Sequence, residues 1–118
     1  MKPMDMTAVE LGTAIREKKI TAPEALQAVF SEIDRKEERL HCYITLDREG
    51  ALRRAEAVQK KIDAGELTGP LAGVPLAVKD NLCTAGMLTT CASRILGNFV
   101  PTYTAEAVRR LEEGGMVL

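Results

Sequence analysis

The sequence contains no tryptophan, few aromatic residues of any kind and no excess of charge of either sign. Sixteen lysine and arginine residues against seventeen acidic residues leave a formal net charge of −1. Proteins that bind nucleic acid usually have a clear basic excess for the phosphates, and those that bind single strands stack the bases on aromatic rings. The composition therefore argues against a nucleic-acid-binding surface on this chain.

Cysteine is scarce as well, since Cys42, Cys83 and Cys91 make an odd number at wide spacing. Such a set is neither a disulfide framework nor a zinc signature, and it is typical of reduced thiols in a cytoplasmic protein. A disulfide or a metal shared by Cys83 and Cys91 stays open, but His41 is the only imidazole, which disfavours a metal site.

Long hydrophobic runs are also missing. The N-terminus has no apolar segment typical of a secretory signal, and no run approaches the roughly 20 residues that span a bilayer. The apolar fraction of 46% excludes a disordered chain, and 118 residues suit one domain with a modest core. These features predict a soluble, cytoplasmic protein that does not contact a membrane.

The first 65 residues have the apolar periodicity of helices. Thr-Ala-Val-Glu at 7–10 and Thr-Ala-Pro-Glu at 21–24 are capping boxes, in which the threonine and the glutamate satisfy each other's backbone amides. They predict a first helix that ends near Lys19 and a second that ends near Arg39. The charged run within 34–40 is expected to be a solvated helix face.

The rest of the chain predicts short strands between further helices. Residues 42–46 have the β-branched and aromatic content of a strand, and Asp47 is expected to cap a third helix that stops at Gly65. A second strand is expected over about 74–79 and a last helix over about 104–113, with Thr104 as its N-cap. Helices that alternate with short apolar strands indicate the α/β class.

The C-terminal sequence Gly-Gly-Met-Val-Leu places a helix stop directly before three apolar residues. A buried strand usually needs four to eight residues, so this end is expected to be half of an αβ unit. We therefore expect the chain to be cut off from a longer protein.

Lys79 is the strongest candidate for chemistry, because it lies at the C-terminal end of the apolar run 74–78, where α/β sheets place ligands. Burial there would lower the pKa of its ammonium group, as a general base or nucleophile requires. An ordinary surface lysine at a strand end is the structural alternative. Asp80 and Asn81 are expected either to orient Lys79 or to form the turn that follows the strand.

Two other features have mainly structural explanations. The hydroxyl-rich segment 89–93 is able to line a pocket, but small polar residues are common in loops, and His41 has no acid or nucleophile beside it in sequence. Residues 7–39 have the outline of a helix-turn-helix, but the second helix contains no basic residue over 21–34 that would reach DNA. We therefore reject DNA binding.

The segments GPLAGVPLAVKDNLCTAG (69–86) and TTCASRILGNFVPTY (89–103) resemble the amidase signature family, in which Lys-Asp-Asn is the lysine motif. The second segment and the N-terminal stretch 7–26 are similar to one branch of that family, the glutamine-hydrolysing subunits of tRNA-dependent amidotransferases. The resemblance implies an α/β/α fold built on a large mixed sheet. Residues 1–118 would be the N-terminal part of one amidase domain, with a mainly helical layer over 1–65 and the start of the core sheet over 69–118.

The resemblance also implies a Ser–cis-Ser–Lys triad in which Lys79 is the general base. The nucleophile and the cis-serine of the family lie in Gly/Ser-rich segments further downstream, and neither Ser31 nor Ser93 lies in such a segment. Both triad serines are thus expected to be absent from these 118 residues, which predicts that the chain alone does not hydrolyse glutamine.

The partners and cofactors implied by the resemblance belong mainly to other subunits. Glutamine would be the substrate, and subunits B and C would complete a heterotrimer in which a partner uses ATP and magnesium and binds the misacylated tRNA. No cofactor or metal is expected on this chain. Whether the tRNA is Glu-tRNA(Gln), Asp-tRNA(Asn) or both stays open.

Two alternatives to a glutamine-hydrolysing enzyme also stay open. In the first alternative the chain is a non-catalytic helical module that binds a partner. In the second it is the remnant of a truncated amidase. A pyridoxal phosphate enzyme with a Schiff base on Lys79 is disfavoured, because the sequence contains no recognisable phosphate-binding loop.

Overall fold

The computed structural model describes residues 1–118 and is predominantly helical. A 3-10 turn at Pro3–Asp5 precedes four α-helices: α1 (Ala8–Arg16), α2 (Ala22–Leu40), α3 (Arg48–Asp63) and α4 (Glu106–Glu113). The two longest helices, α2 and α3, pack against each other. None of the helices combines the length and the apolar character needed to cross a membrane.

The first three helices begin where the sequence predicts. The backbone amide of Thr21 donates to Glu24 Oε2 over 2.7 Å, and the amide of Glu24 donates to Thr21 Oγ1 over 3.3 Å. The same reciprocal pair forms at 7–10, so both predicted capping boxes are confirmed. Asp47 caps α3 by accepting a hydrogen bond from the amide of Gly50 over 3.0 Å.

Three helices, α1, α3 and α4, end in Schellman motifs, in which a residue with positive φ turns the chain out of the helix. At the end of α4 this residue is Gly115, with φ 90°. At the end of α3 this residue is Gly65, with φ 76°, and the amide of Glu66 donates to the carbonyl of Lys61 over 2.9 Å. The predicted stop at Gly65 is therefore confirmed. At the end of α1 the residue is Lys18, with φ 58°, although lysine is disfavoured in the left-handed region.

We expect Lys18→Gly to raise the free energy of unfolding by about 0.5 kcal/mol, since glycine adopts positive φ without steric cost but loses more entropy on folding. Urea denaturation of the chain and the variant measures the difference. Lys18→Ala is the matched control, because it removes the same side chain and keeps the cost of the positive φ. Equal stabilisation by both variants would show that the lysine side chain, rather than the backbone, is unfavourable.

The core consists of two small clusters that share α2. One joins α2, α3 and the C-terminal segment through buried, mostly small side chains: Ala22, Leu26, Ala51, Ala55 and Val117. The other joins α1 and α2 to the segment after Pro70: Leu11, Ile15, Ala25 and Val74. Alanines at the contact let α2 and α3 approach closely, so their packing relies on shape more than on large side chains.

The C-terminal segment pairs with the segment that precedes Lys79. The amide of Leu76 donates to the carbonyl of Val117 over 2.7 Å, and the amide of Val117 donates to the carbonyl of Val74 over 2.9 Å. These bonds form one isolated parallel bridge between Pro75 and Val117. Arg54 Nε holds the end of the chain by donating to the carbonyl of Leu118 over 3.3 Å.

The helical part of the predicted fold is thus confirmed, but the structure contains no β-sheet. The strand predicted over 74–79 is wrong, because backbone pairing stops at Leu76 and no second neighbour satisfies the groups beyond it. The strand predicted over 42–46 is also wrong, since that segment is an irregular connection between α2 and α3. A strand is stable only beside a partner, and local β propensity does not replace one.

The start of the last helix also differs from the prediction. Helix α4 begins at Glu106, and its N-cap is Ala105 without a side-chain bond. The hydroxyl of Thr104 instead accepts a hydrogen bond from the amide of Ala85 over 3.0 Å. The assignment of Thr104 as a helix cap is therefore wrong, because its oxygen is engaged by a residue distant in sequence.

Candidate active site

An open, largely apolar groove of about 660 Å³ lies beside the predicted lysine motif. Its lining includes Leu26, Phe30 and Ile33 of α2 and the connection 42–47. Residues 75–82, parts of 84–92, and Val117 and Leu118 complete the lining. The groove therefore brings Lys79, Asp80 and Asn81 to the same surface as part of the hydroxyl-rich segment.

Lys79 lies on this groove with its side chain exposed to solvent. Its carbonyl accepts a hydrogen bond from the amide of Leu82 over 3.0 Å, which turns the chain immediately after the lysine. The side chain itself makes no hydrogen bond and no ion pair. The burial expected for Lys79 is thus not present in this chain, because nothing packs over its side of the groove.

Asp80 is bonded to a residue ten positions further along the chain. Its Oδ1 accepts from the amide of Thr90 over 2.9 Å, its Oδ2 accepts from the hydroxyl of Thr90, and its carbonyl accepts from the amide of Cys91 over 2.8 Å. We call these three bonds the Asp80–Thr90 clamp. The hydroxyl of Thr90, followed by its amide and that of Ala92, holds the pKa of Asp80 below its usual value.

The clamp closes on a turn with an uncommon backbone. Cys91 and Ala92 have φ values of 51° and 56°, and the amide of Ser93 donates to the carbonyl of Thr90 over 2.8 Å. Two consecutive positive φ values are typical of a type I′ turn, in which asparagine and glycine are preferred. The hydroxyl of Thr90 also accepts from the amide of Ala92 over 3.1 Å, so it stabilises the turn from inside.

The remaining candidate residues make few side-chain contacts that would indicate a role. Asn81 is exposed on the groove and its side chain makes no hydrogen bond, whereas His41 is an exposed C-cap of α2 with φ 50°. All three cysteines are free thiols, and Cys83 donates to the hydroxyl of Tyr103 over 3.4 Å. No group of three or more histidine, cysteine or acidic side chains is arranged to hold a metal.

Sequence reasoning did not identify Thr90 as the partner of Asp80. Asp80 was a candidate and Thr90 lay within the hydroxyl-rich segment 89–93, but no pattern in the sequence pairs positions ten apart across a loop. The signal was the hydroxyl-rich segment, which suggested pocket lining and not a hydrogen bond to the lysine motif.

Comparisons with known protein families and with curated proteins both find amidase-type relatives of this chain. Residues 24–118 match the Amidase family. The A subunit of the glutamyl-tRNA(Gln) amidotransferase of Agathobacter rectalis is 58% identical over 118 residues, which are 100% of this chain and 24% of that protein. The protein of the same name from Lachnospira eligens is 57% identical over the same shares. The chain spans about a quarter of the length of the curated relatives it matches.

Solved structures agree on the fold. The native peptide amidase from Stenotrophomonas maltophilia superposes with a TM-score of 0.86 at 33% identity, over 96% of this chain and 23% of that chain. Fatty acid amide hydrolase superposes with a TM-score of 0.89 at 22% identity, over 98% of this chain and 20% of that chain, and shares the fold. The family match covers most of the chain and includes the lysine motif, so this chain belongs to the amidase family.

Proposed function

We propose that the protein carrying this chain is the glutamine-hydrolysing subunit of a tRNA-dependent amidotransferase. The observation that supports this most directly is the 58% identity, over all 118 residues, to the A subunit of a glutamyl-tRNA(Gln) amidotransferase. The lysine motif lies within the matched residues, and Lys79 lies on the open groove, which supports its role as a residue that reaches the substrate. The reaction would supply ammonia that converts Glu-tRNA(Gln) to Gln-tRNA(Gln), and whether Asp-tRNA(Asn) is also an acceptor stays open.

In this proposal Lys79 is the general base of a Ser–cis-Ser–Lys triad. Neutral Lys79 Nζ accepts a proton from the cis-serine, which accepts one from the nucleophilic serine as that oxygen attacks the glutamine amide carbon. The C–N bond then breaks, the leaving nitrogen takes up a proton and departs as ammonia, and water releases glutamate from the acyl-serine. Both serines belong to the part of the domain outside these residues, so the 118-residue chain alone is proposed to be inactive.

The partners of the proposed enzyme follow from the same assignment. Subunits B and C would complete the complex in the cytoplasm, and one of these partners would bind the tRNA and use ATP and magnesium. The net charge of −1 and the scarcity of aromatic residues support a chain that does not itself bind the tRNA.

A hybrid protein tests this function. In it, residues 1–118 of this chain replace the matched segment of the Agathobacter rectalis relative, and the hybrid is then produced with its partner subunits. We expect the hybrid complex to release glutamate and ammonia from glutamine, because the chain would supply the base that the downstream serines require. The isolated 118-residue chain, assayed in parallel, is expected to release neither product above the buffer rate.

Either of two results would contradict the proposal. One is glutamine hydrolysis by the isolated chain, since no residue within it is assigned as the nucleophile. The other is a hybrid complex that assembles and amidates with free ammonia but not with glutamine. That second result would favour the non-catalytic, partner-binding alternative, for which the open apolar groove is the supporting observation.

A further inference from the structure

The backbone near Lys79 is tied to other segments at Leu76 and again at Asp80. Ala77 and Val78 lie unpaired between these two points. On the N-terminal side, the bridge between Pro75 and Val117 ties the segment to the core through the fully buried Val117. On the C-terminal side, the Asp80–Thr90 clamp ties the next residue to the turn at 90–93. The side chain of Lys79, by contrast, has no hydrogen-bond or ion-pair partner, so the bonds on its flanking backbone are the ones that determine where this side chain is attached on the groove.

We propose that Asp80 and Thr90 are positioning residues for Lys79, and that the Asp80–Thr90 clamp sets where the lysine amine is presented on the groove. This inference rests on the proposed function, since it assigns how the general base of that reaction is oriented. Neither residue is assigned a direct contact with glutamine.

The chemistry of the clamp suits this role. A carboxylate accepts from an amide and a hydroxyl at once, and bonds to an ionised acceptor are stronger than neutral ones. Thr90 is only 6% exposed and Asp80 is half-buried, so water has limited access to the Thr90 side of these bonds. The three bonds join both the side chain and the carbonyl of Asp80 to one turn, which restrains the residue that directly follows the lysine.

The strained turn is a second observation that favours positioning over simple loop closure. Neither Cys91 nor Ala92 is a residue that favours positive φ. The amide of Cys91 donates to the carbonyl of Asp80 and the amide of Ala92 donates to the hydroxyl of Thr90, and these bonds hold both residues in that conformation. Backbone strain of this kind persists only where the surroundings determine it, and it is often found at functional sites. The clamp therefore keeps a turn in place that the local sequence does not favour.

The test measures kcat and KM for glutamine in the hybrid complex carrying Asp80→Ala or Thr90→Val. Misplacing a catalytic group by an ångström can cost about a hundredfold in rate, so we expect kcat to fall about tenfold to a hundredfold. KM is expected to stay within about twofold, because an interaction that serves only the chemical step affects kcat and kcat/KM alike. Thr90→Ser keeps the hydroxyl and is expected to retain most of the activity.

Thr21→Ala in the same hybrid is the matched control for stability. It removes a hydroxyl that caps α2 away from the groove, so we expect a lower Tm with unchanged kcat. A loss of kcat in Thr21→Ala equal to that in Thr90→Val would overturn the positioning role. The lower kcat of both variants would then be explained by their lower stability alone. Unchanged kcat in both clamp variants would also overturn it.

Lys79→Ala in the hybrid separates this inference from the function on which it rests. If Lys79→Ala abolishes glutamine hydrolysis while both clamp variants keep full kcat, the base assignment stands and the positioning role is wrong. If Lys79→Ala keeps full kcat, the base assignment fails, and the positioning role fails with it.

Discussion

Gly12→Ala is expected to destabilise the chain by about 3 kcal/mol, the upper part of the usual range for overpacking. Gly12 lies in α1, and a Cβ atom added there would be 1.9 Å from the carbonyl oxygen of Pro70. A backbone oxygen cannot rotate away as a side chain does. The segment after Pro70 would have to move, and it carries Val74, which packs in the cluster with Leu11 and Ile15.

The expected change in the free energy of unfolding has the opposite sign to that of an ordinary glycine-to-alanine substitution in a helix. In an open helix, replacing glycine by alanine stabilises by about 0.5–1 kcal/mol, because the unfolded chain loses less entropy. Val9→Ala, at an exposed position of the same helix, is the matched control and is expected to change stability by less than about 0.5 kcal/mol. Urea denaturation measures both, and a Gly12→Ala chain more stable than the original would contradict the close approach.

Local signals in the sequence predicted the helices well. The capping boxes at 7–10 and 21–24 depend on residues three apart, so their outcome is decided within one turn of helix. Gly65 likewise ends α3 through bonds to the last turn of that helix. The strands at 42–46 and 74–79 depended instead on partners elsewhere in the chain, and only Val117 supplies one.

In the candidate site, too, local features could be predicted from the sequence and long-range contacts could not. Lys79, Asp80 and Asn81 were identified from their place after an apolar run, and the structure puts all three on one groove. The bond between Asp80 and Thr90 was not predictable, because it joins residues ten positions apart across a loop. The turn that follows contains two left-handed residues, Cys91 and Ala92, which its sequence does not favour. Long-range contacts and unfavourable backbone conformations are decided by the whole fold.

Lys79→Ala is expected to lower kcat for glutamine hydrolysis in the hybrid complex by roughly a hundredfold to ten-thousandfold, the usual contribution of a general base. Lys79→Arg is expected to lose as much activity, because a guanidinium stays protonated and cannot accept the proton of a serine. An arginine that restored the rate would show that the site needs a positive charge and not a base.

Two further measurements separate a lost base from a lost fold. The Lys79 side chain is exposed and makes no bond in this chain, so Lys79→Ala is expected to change the free energy of unfolding by less than about 0.5 kcal/mol. Amidation of the misacylated tRNA is expected to continue when ammonium chloride replaces glutamine, because ammonia supplied from solution does not require the triad. If the variant complex failed with ammonium chloride as well, Lys79 would act in assembly or in transfer, and its assignment as the base of glutamine hydrolysis would be wrong.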